Sequence, residues 1–176
     1  MSTPAVQLFC ALLALAVLTF TIGLVGWRIA ARRNEGAARA LDTFTPVSSG
    51  LAAAIAVGCT LGSLYFSEVA HYTPCTLCWY QRIAMYPLSI VLVIAAVRRD
   101  RNVLLYVTVL ASIGATLSTY HWFLERLPSL ETGACSAAVP CDHIWFEELG
   151  FVTLPFMAGC GFLAIVNLAT LGSRAS

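Results

Sequence analysis

Residues 83–97, Ile83-Ala-Met-Tyr-Pro-Leu-Ser-Ile-Val-Leu-Val-Ile-Ala-Ala-Val97, form an uncharged run between Arg82 and Arg98. As a helix this run reaches about 22 Å at about 1.5 Å per residue, short of a bilayer core of roughly 30 Å. To span, the helix must begin earlier, near Thr76, just after Pro74 and Cys75. That start places Arg82 inside the edge of the membrane, where an ionisable residue marks a functional site. Pro87 within this segment and Pro155 within the last one predict local kinks, which neighbouring helices tolerate.

Four further uncharged intervals are long enough to cross: residues 1–27, 43–67, 102–124 and 149–173. The fold class is therefore all-α, an integral membrane protein with five transmembrane helices. Composition agrees, with 59% hydrophobic and 11% charged residues against roughly a quarter charged in a soluble domain. A soluble globular protein is excluded, because a chain of 176 residues must cover its outside with polar groups. Lipid covers it instead. Ten arginines, no lysine and a net charge of +1 give no basic field for nucleic acid.

Eight of the arginines (Arg28, Arg32, Arg33, Arg39, Arg98, Arg99, Arg101 and Arg174) fall on one side of the segments, and only Arg82 and Arg126 on the other. By the positive-inside rule the amino terminus is outside and the carboxyl terminus inside. Residues 68–81 and 122–148 then face the extracytoplasmic space. The first segment is expected to remain uncleaved, since its positive charges follow the apolar stretch rather than precede it. Residues 34–49 read as a cytoplasmic connector with a break at Pro46.

Both outward segments carry a cysteine pair. The first holds Cys75-Thr-Leu-Cys78-Trp-Tyr-Gln-Arg82, with the sulfurs and the guanidinium at i, i+3 and i+7 on one helical face. A helix amino terminus and an arginine both favour the thiolate that performs disulfide exchange, and Cys78, one turn from Arg82, should be the more activated. The second pair, Cys135 and Cys141, encloses Ser-Ala-Ala-Val-Pro in a loop bounded by Gly133 and Pro140. A disulfide on such a tether is accessible to a soluble protein and relays a redox state through a mixed disulfide. The plain alternative is two structural disulfides, although a structural bridge requires no activating cation.

The stretches CTLCWYQRIAMYPL, CSAAVPC and GFVTLPF resemble the DsbB/BdbC family of membrane thiol:quinone oxidoreductases over residues 49–171. The resemblance implies a four-helix membrane bundle that reoxidises an extracytoplasmic thioredoxin-fold thiol oxidase of the DsbA/BdbD kind. The two electrons pass to a membrane quinone, ubiquinone or menaquinone, in the bacterial cytoplasmic membrane. It further implies that Cys135 forms the mixed disulfide with the partner and that Cys141 exchanges with Cys75. Cys78 would attack the quinone ring and Arg82 bind a quinone oxygen, with His121 near the ring; no metal is implied. Two features depart from the best-known members. Residues 1–45 add an N-terminal transmembrane helix and connector to the four-helix domain at 46–176, and the loop cysteines are close together, as in the Gram-positive BdbC type.

Other readings compete. Cys10, Cys59 and Cys160 lie in apolar segments and read as small packing residues. His71 and His143 near the pairs would permit a zinc site. A c-type haem is excluded because Trp79 stands where Cys-x-x-Cys-His needs histidine. Ile144, Trp145, Phe146 and Leu149 read as a short interfacial stretch. As whole functions, the alternatives are a transmembrane thiol reductant passing electrons outward and a non-catalytic membrane protein with structural disulfides or zinc. A vitamin K epoxide reductase-like enzyme would place its loop cysteines before the Cys-x-x-Cys pair, the reverse of the order here.

Overall fold

The computed structural model describes residues 3–131, 133, 135 and 139–172. Five helices, α1 (Thr3–Ala31), α2 (Glu35–Leu64), α3 (Thr76–Arg98), α4 (Leu104–Arg126) and α5 (Leu154–Gly172), run alternately up and down. All five are long and apolar enough to cross a membrane. The starting point of α3 is the one that the shortness of the 83–97 run demands. Residues 70–75 and the described residues between 127 and 153 meet at one end of the bundle, here the cysteine end, and the short arginine-bearing turns after α1 and α3 lie at the other.

α5 is the central element, with Phe162, Ile165 and Leu168 fully buried against the other helices. Small residues let the helices approach. Gly114 of α4 faces the Phe162 ring so closely that a Cβ there would overlap it, and Gly161 makes room for the Cys59 sulfur. Outward, Ile83, Ile90, Ile94, Val97, Leu105 and Ile113 remain exposed. In water these side chains would be costly; in lipid they are the surface.

Two expectations fail. Residues 35–49 are not a connector: α2 begins at Glu35, capped by the Asn34 side chain accepting from the Gly36 and Ala37 amides, and continues through Pro46. Packing overrides the proline, as Phe44 lies against Phe20 and Trp27, and the Trp27 indole donates to the Ala37 carbonyl. A boundary at 45/46 therefore falls inside a helix. Pro155, in turn, is the second residue of α5, where no intrahelical amide is needed, so it begins the helix instead of kinking it. Pro87 does lie inside α3.

α1 is fastened at both ends. Near the arginine end, Arg28 Nη1 donates to the Asn167 carbonyl, to Asn167 Oδ1 at 2.6 Å and to Thr170 Oγ1, while Asn167 Nδ2 donates to the Thr21 carbonyl. At the cysteine end Gln7 Nε2 donates to the Tyr72 hydroxyl at 2.6 Å. α2 ends in a π-helical turn, Tyr65–Val69, a device that loosens the regular backbone ladder beside the cysteines.

Candidate redox site

Pro74 and Cys75 stop the chain from entering the helix early, so Cys75 becomes the N-cap of α3, with extended backbone. Its sulfur takes the role usually given to a serine or aspartate oxygen and accepts from the Cys78 amide at 3.3 Å. The two sulfurs are 3.0 Å apart. Either thiol can donate across that gap, but two other donors converge on Cys75, so the shared hydrogen stays with Cys78. The second of those donors is His121, whose Nε2 lies 3.7 Å from Cys75 Sγ and 3.0 Å from the Cys141 carbonyl oxygen.

A carbonyl only accepts, so His121 Nε2 carries a hydrogen, and in the neutral ring Nδ1 is left as the acceptor. The Gln81 amide sits 2.9 Å from Nδ1 and fits that role. His121 and Gln81 are both buried. The hydrogen bond shared with Cys78 is the main reason the Cys75 thiol is held well below the usual thiol range, at about 4; burial opposes it and His121 adds to it. Spacing favoured Cys78 as the activated sulfur; in the structure the donors converge on Cys75, the Cys78 thiol first, then His121, with the Cys78 amide at the cap adding least.

Cys135 and Cys141 form a disulfide. Cys141 is buried in one apolar cluster with Cys75, Leu77 and Leu124, against which Cys78 and Cys135 also pack. The loop pair is thus not freely tethered as a whole. Its Cys141 end is seated over the helix pair, and half-buried Cys135 is the more accessible sulfur. Beyond it the chain is tied back to α4 by Arg126, paired with Glu147 at 2.6 Å, and by Trp122 and Arg126 donating to the Phe151 carbonyl.

On the other side of Cys78 lies an apolar cavity of about 650 Å³. Cys78, Gln81 and Arg82 line its cysteine end, and its walls come from α1, α2, α3 and α5. Arg82 Nη2 donates to the Ser63 carbonyl at 3.1 Å, just before the π turn, and the guanidinium lies 5.4 Å from the Trp79 ring centre. The same arginine also lines a smaller, polar cavity with Glu68 and His71, so it stands between an apolar and a polar space. His121 is not among the residues lining either cavity; it faces the cysteines instead.

Sequence reasoning missed the roof of the large cavity. Tyr72 stacks on Trp145 at 4.8 Å and on Phe66 at 5.9 Å, and Phe146 packs against Phe66. Trp145, read as part of an interfacial stretch, lines the cavity, and Phe146 of the same stretch packs against Phe66 and Tyr72; the sequence could not show which rings they would meet. Glu125, one turn beyond His121, was also missed; it accepts from Thr153 Oγ1 at 2.6 Å. A soft metal has three candidate ligands here, since the sulfurs of Cys75 and Cys78 and a His121 ring nitrogen lie within 4.8 Å of one another. His71 and His143 are not in that group, and His143 packs edge-on against Trp145.

Five membrane-length helices with two cysteine pairs gathered at one end define a multi-pass membrane protein of thiol–disulfide chemistry. The family described as "Disulfide bond formation protein DsbB" matches residues 47–171, and the chain belongs to that family. Its relatives include "Disulfide bond formation protein C" of Bacillus subtilis, 42% identical over 113 residues, 64% of this chain and 82% of the relative. "Probable disulfide formation protein" of Oceanobacillus iheyensis is 45% identical over 112 residues, 62% and 77% of the two chains. A third, "SPbeta prophage-derived disulfide bond formation protein B" of Bacillus subtilis, is 39% identical over 109 residues, 62% and 74%. No solved structure matches the chain. The protein is an oxidoreductase of disulfide bond formation, and α1 with the part of α2 before residue 47 lies outside the matched region.

Proposed function

We propose that the protein is a thiol:quinone oxidoreductase of the bacterial cytoplasmic membrane, with its cysteine end on the extracytoplasmic face, that reoxidises a soluble thioredoxin-fold thiol oxidase. The observation that carries this reading is the position of Cys78, which touches the other cysteines on one side and lines the apolar cavity with Arg82 on the other. The cavity fits a quinone in its chemistry: a long apolar interior with a guanidinium, an amide and a thiol at one end. Arg82 would hold a ring oxygen, with Cys78 beside the ring. When bound, the quinone supplies a two-electron acceptor that stays in the membrane.

The chain's own residues account for the rest. A partner thiolate attacks half-buried Cys135 and breaks the Cys135–Cys141 bond, leaving the electron pair on Cys141. Cys141 attacks Cys75 of an oxidised Cys75–Cys78 pair and releases the pair on Cys78, at the cavity wall. In this exchange the charge passes between the outer sulfurs, from attacking Cys141 to leaving Cys78, and His121 Nε2–H, bonded to the Cys141 carbonyl and beside Cys75 Sγ, would hold the two pairs in line. The test is oxidation of a reduced thioredoxin-fold partner by the purified protein with ubiquinone or menaquinone. Cys75→Ser and Cys78→Ser should each abolish it. Normal turnover by either variant, or no partner oxidation with either quinone, overturns the reading.

A further inference from the structure

Nothing in the matched family region explains α1, yet it is a built part of the large cavity. Cys10, Leu13, Ala14, Val17 and Phe20 line it, covering about 15 Å of helix length at about 1.5 Å per residue. They face Leu51, Ile55 and Cys59 of α2 and Ala158 and Phe162 of α5. The polar groups cluster where Cys78, Gln81 and Arg82 enter, and the space away from them has apolar walls. At about 650 Å³ the cavity is of the size that encloses a whole drug-sized ligand, about 300–1,000 Å³, so it extends beyond what a ring at Arg82 would fill.

α1 is also held in register with this space. The Arg28 and Asn167 contacts fix it below the cavity, and Gln7 fixes it above by donating to Tyr72. Tyr72 is the roof residue stacked on Trp145, and both rings line the cavity. A helix retained only as an anchor requires neither the latch to the roof nor a lining face.

We propose that α1 is the wall of a channel that takes the isoprenoid tail of the quinone, with Gln7 as the latch that holds its roof; the proposal rests on the quinone reading above. Val17 and Ala14 then set how the first isoprene units pack, and tail length becomes a determinant of affinity, because each buried unit removes apolar surface from competition with lipid only where the walls fit it.

The test is binding, not turnover. Quenching of tryptophan fluorescence gives dissociation constants for two quinones with the same ring, one carrying a single isoprene unit and one carrying several. The unaltered protein should prefer the longer tail. Val17→Trp, which narrows the channel away from Arg82, should raise the ratio of long-tail to short-tail dissociation constants about tenfold, equal to about 1.4 kcal/mol. Gln7→Leu, which removes the latch, should move the same ratio about fivefold in the same direction. Solvent extraction of the purified protein should release long-tailed quinone, and less of it from Val17→Trp. An unchanged ratio in Val17→Trp, or equal loss of both quinones, overturns the wall; an unchanged ratio in Gln7→Leu overturns the latch. If the unaltered protein binds neither quinone, the quinone reading itself falls.

Discussion

The imidazole of His121 stands 3.7 Å from the sulfur of Cys75 and reaches the Cys141 backbone with the same nitrogen, so one buried N–H serves both cysteine pairs. In exchange between the pairs both acceptors of this N–H are uncharged, and a neutral hydrogen bond contributes about 0.5–1.5 kcal/mol, so removing it should slow that exchange about two- to tenfold. His121→Ala is expected to show that loss in single-turnover experiments that trap and map the disulfides after mixing with a reduced partner. His121→Gln should recover part of it, because an amide also donates to sulfur and carbonyl. Unaltered exchange in His121→Ala would remove the histidine from the relay.

The low position of Cys75 makes a pH prediction whose sign is fixed. Held at about 4 in the folded protein, against 9.0 for a free thiol, Cys75 binds fewer protons folded than unfolded between those values. Stability therefore rises with pH across that window and the contribution is lost as pH falls through about 4. Reactivity follows the same group. Modification of Cys75 by a small methanethiosulfonate, scored by peptide mass mapping, should be nearly flat from about pH 6 to 8, where an ordinary thiol slows about tenfold per unit. A tenfold fall per unit at Cys75 would contradict the assignment.

The close approach of α4 and α5 gives a stability prediction independent of the chemistry. Gly114→Ala sets a methyl group into the fully buried Phe162 ring, which must shift to admit it. Overpacking of this kind costs about 1–3 kcal/mol. Thermal unfolding in detergent should show a lower midpoint for Gly114→Ala, whereas Gly23→Ala, where an added Cβ meets nothing within 4 Å, should not. Equal midpoints for Gly114→Ala and the unaltered protein would show that the bundle relaxes around the ring.

How far the sequence carries differs between the bundle and the site. Charge-free intervals locate all five helices, since bilayer thickness sets helix length and arginine sets the edges. Where only turn chemistry spoke, at Pro46, the reading failed, because Phe44 packing on Trp27 is a contact between helices that no local pattern encodes. The two cysteine pairs and Arg82 were visible as spacing. Which sulfur becomes the thiolate was not, since it depends on Cys75 capping the helix and on His121 arriving from α4, 46 residues away. The aromatic roof was hidden for the same reason: Tyr72 and Trp145 meet only after two loops fold over the bundle end.

Arg82 offers the sharpest separation of the two halves of the proposed reaction. Its guanidinium lines the apolar cavity and is tied to the Ser63 carbonyl and the Trp79 face. Arg82→Ala should therefore weaken quinone affinity about ten- to hundredfold, the loss of one charge-assisted hydrogen bond of about 1.5–3 kcal/mol. Arg82→Lys keeps the charge but not the forked donors, and should fall between. Exchange of disulfides with the soluble partner, measured without quinone, should change far less than quinone binding in both variants. Equal losses in quinone-free exchange and in quinone binding would mean that Arg82 holds the junction of α2 and α3 together rather than a ligand.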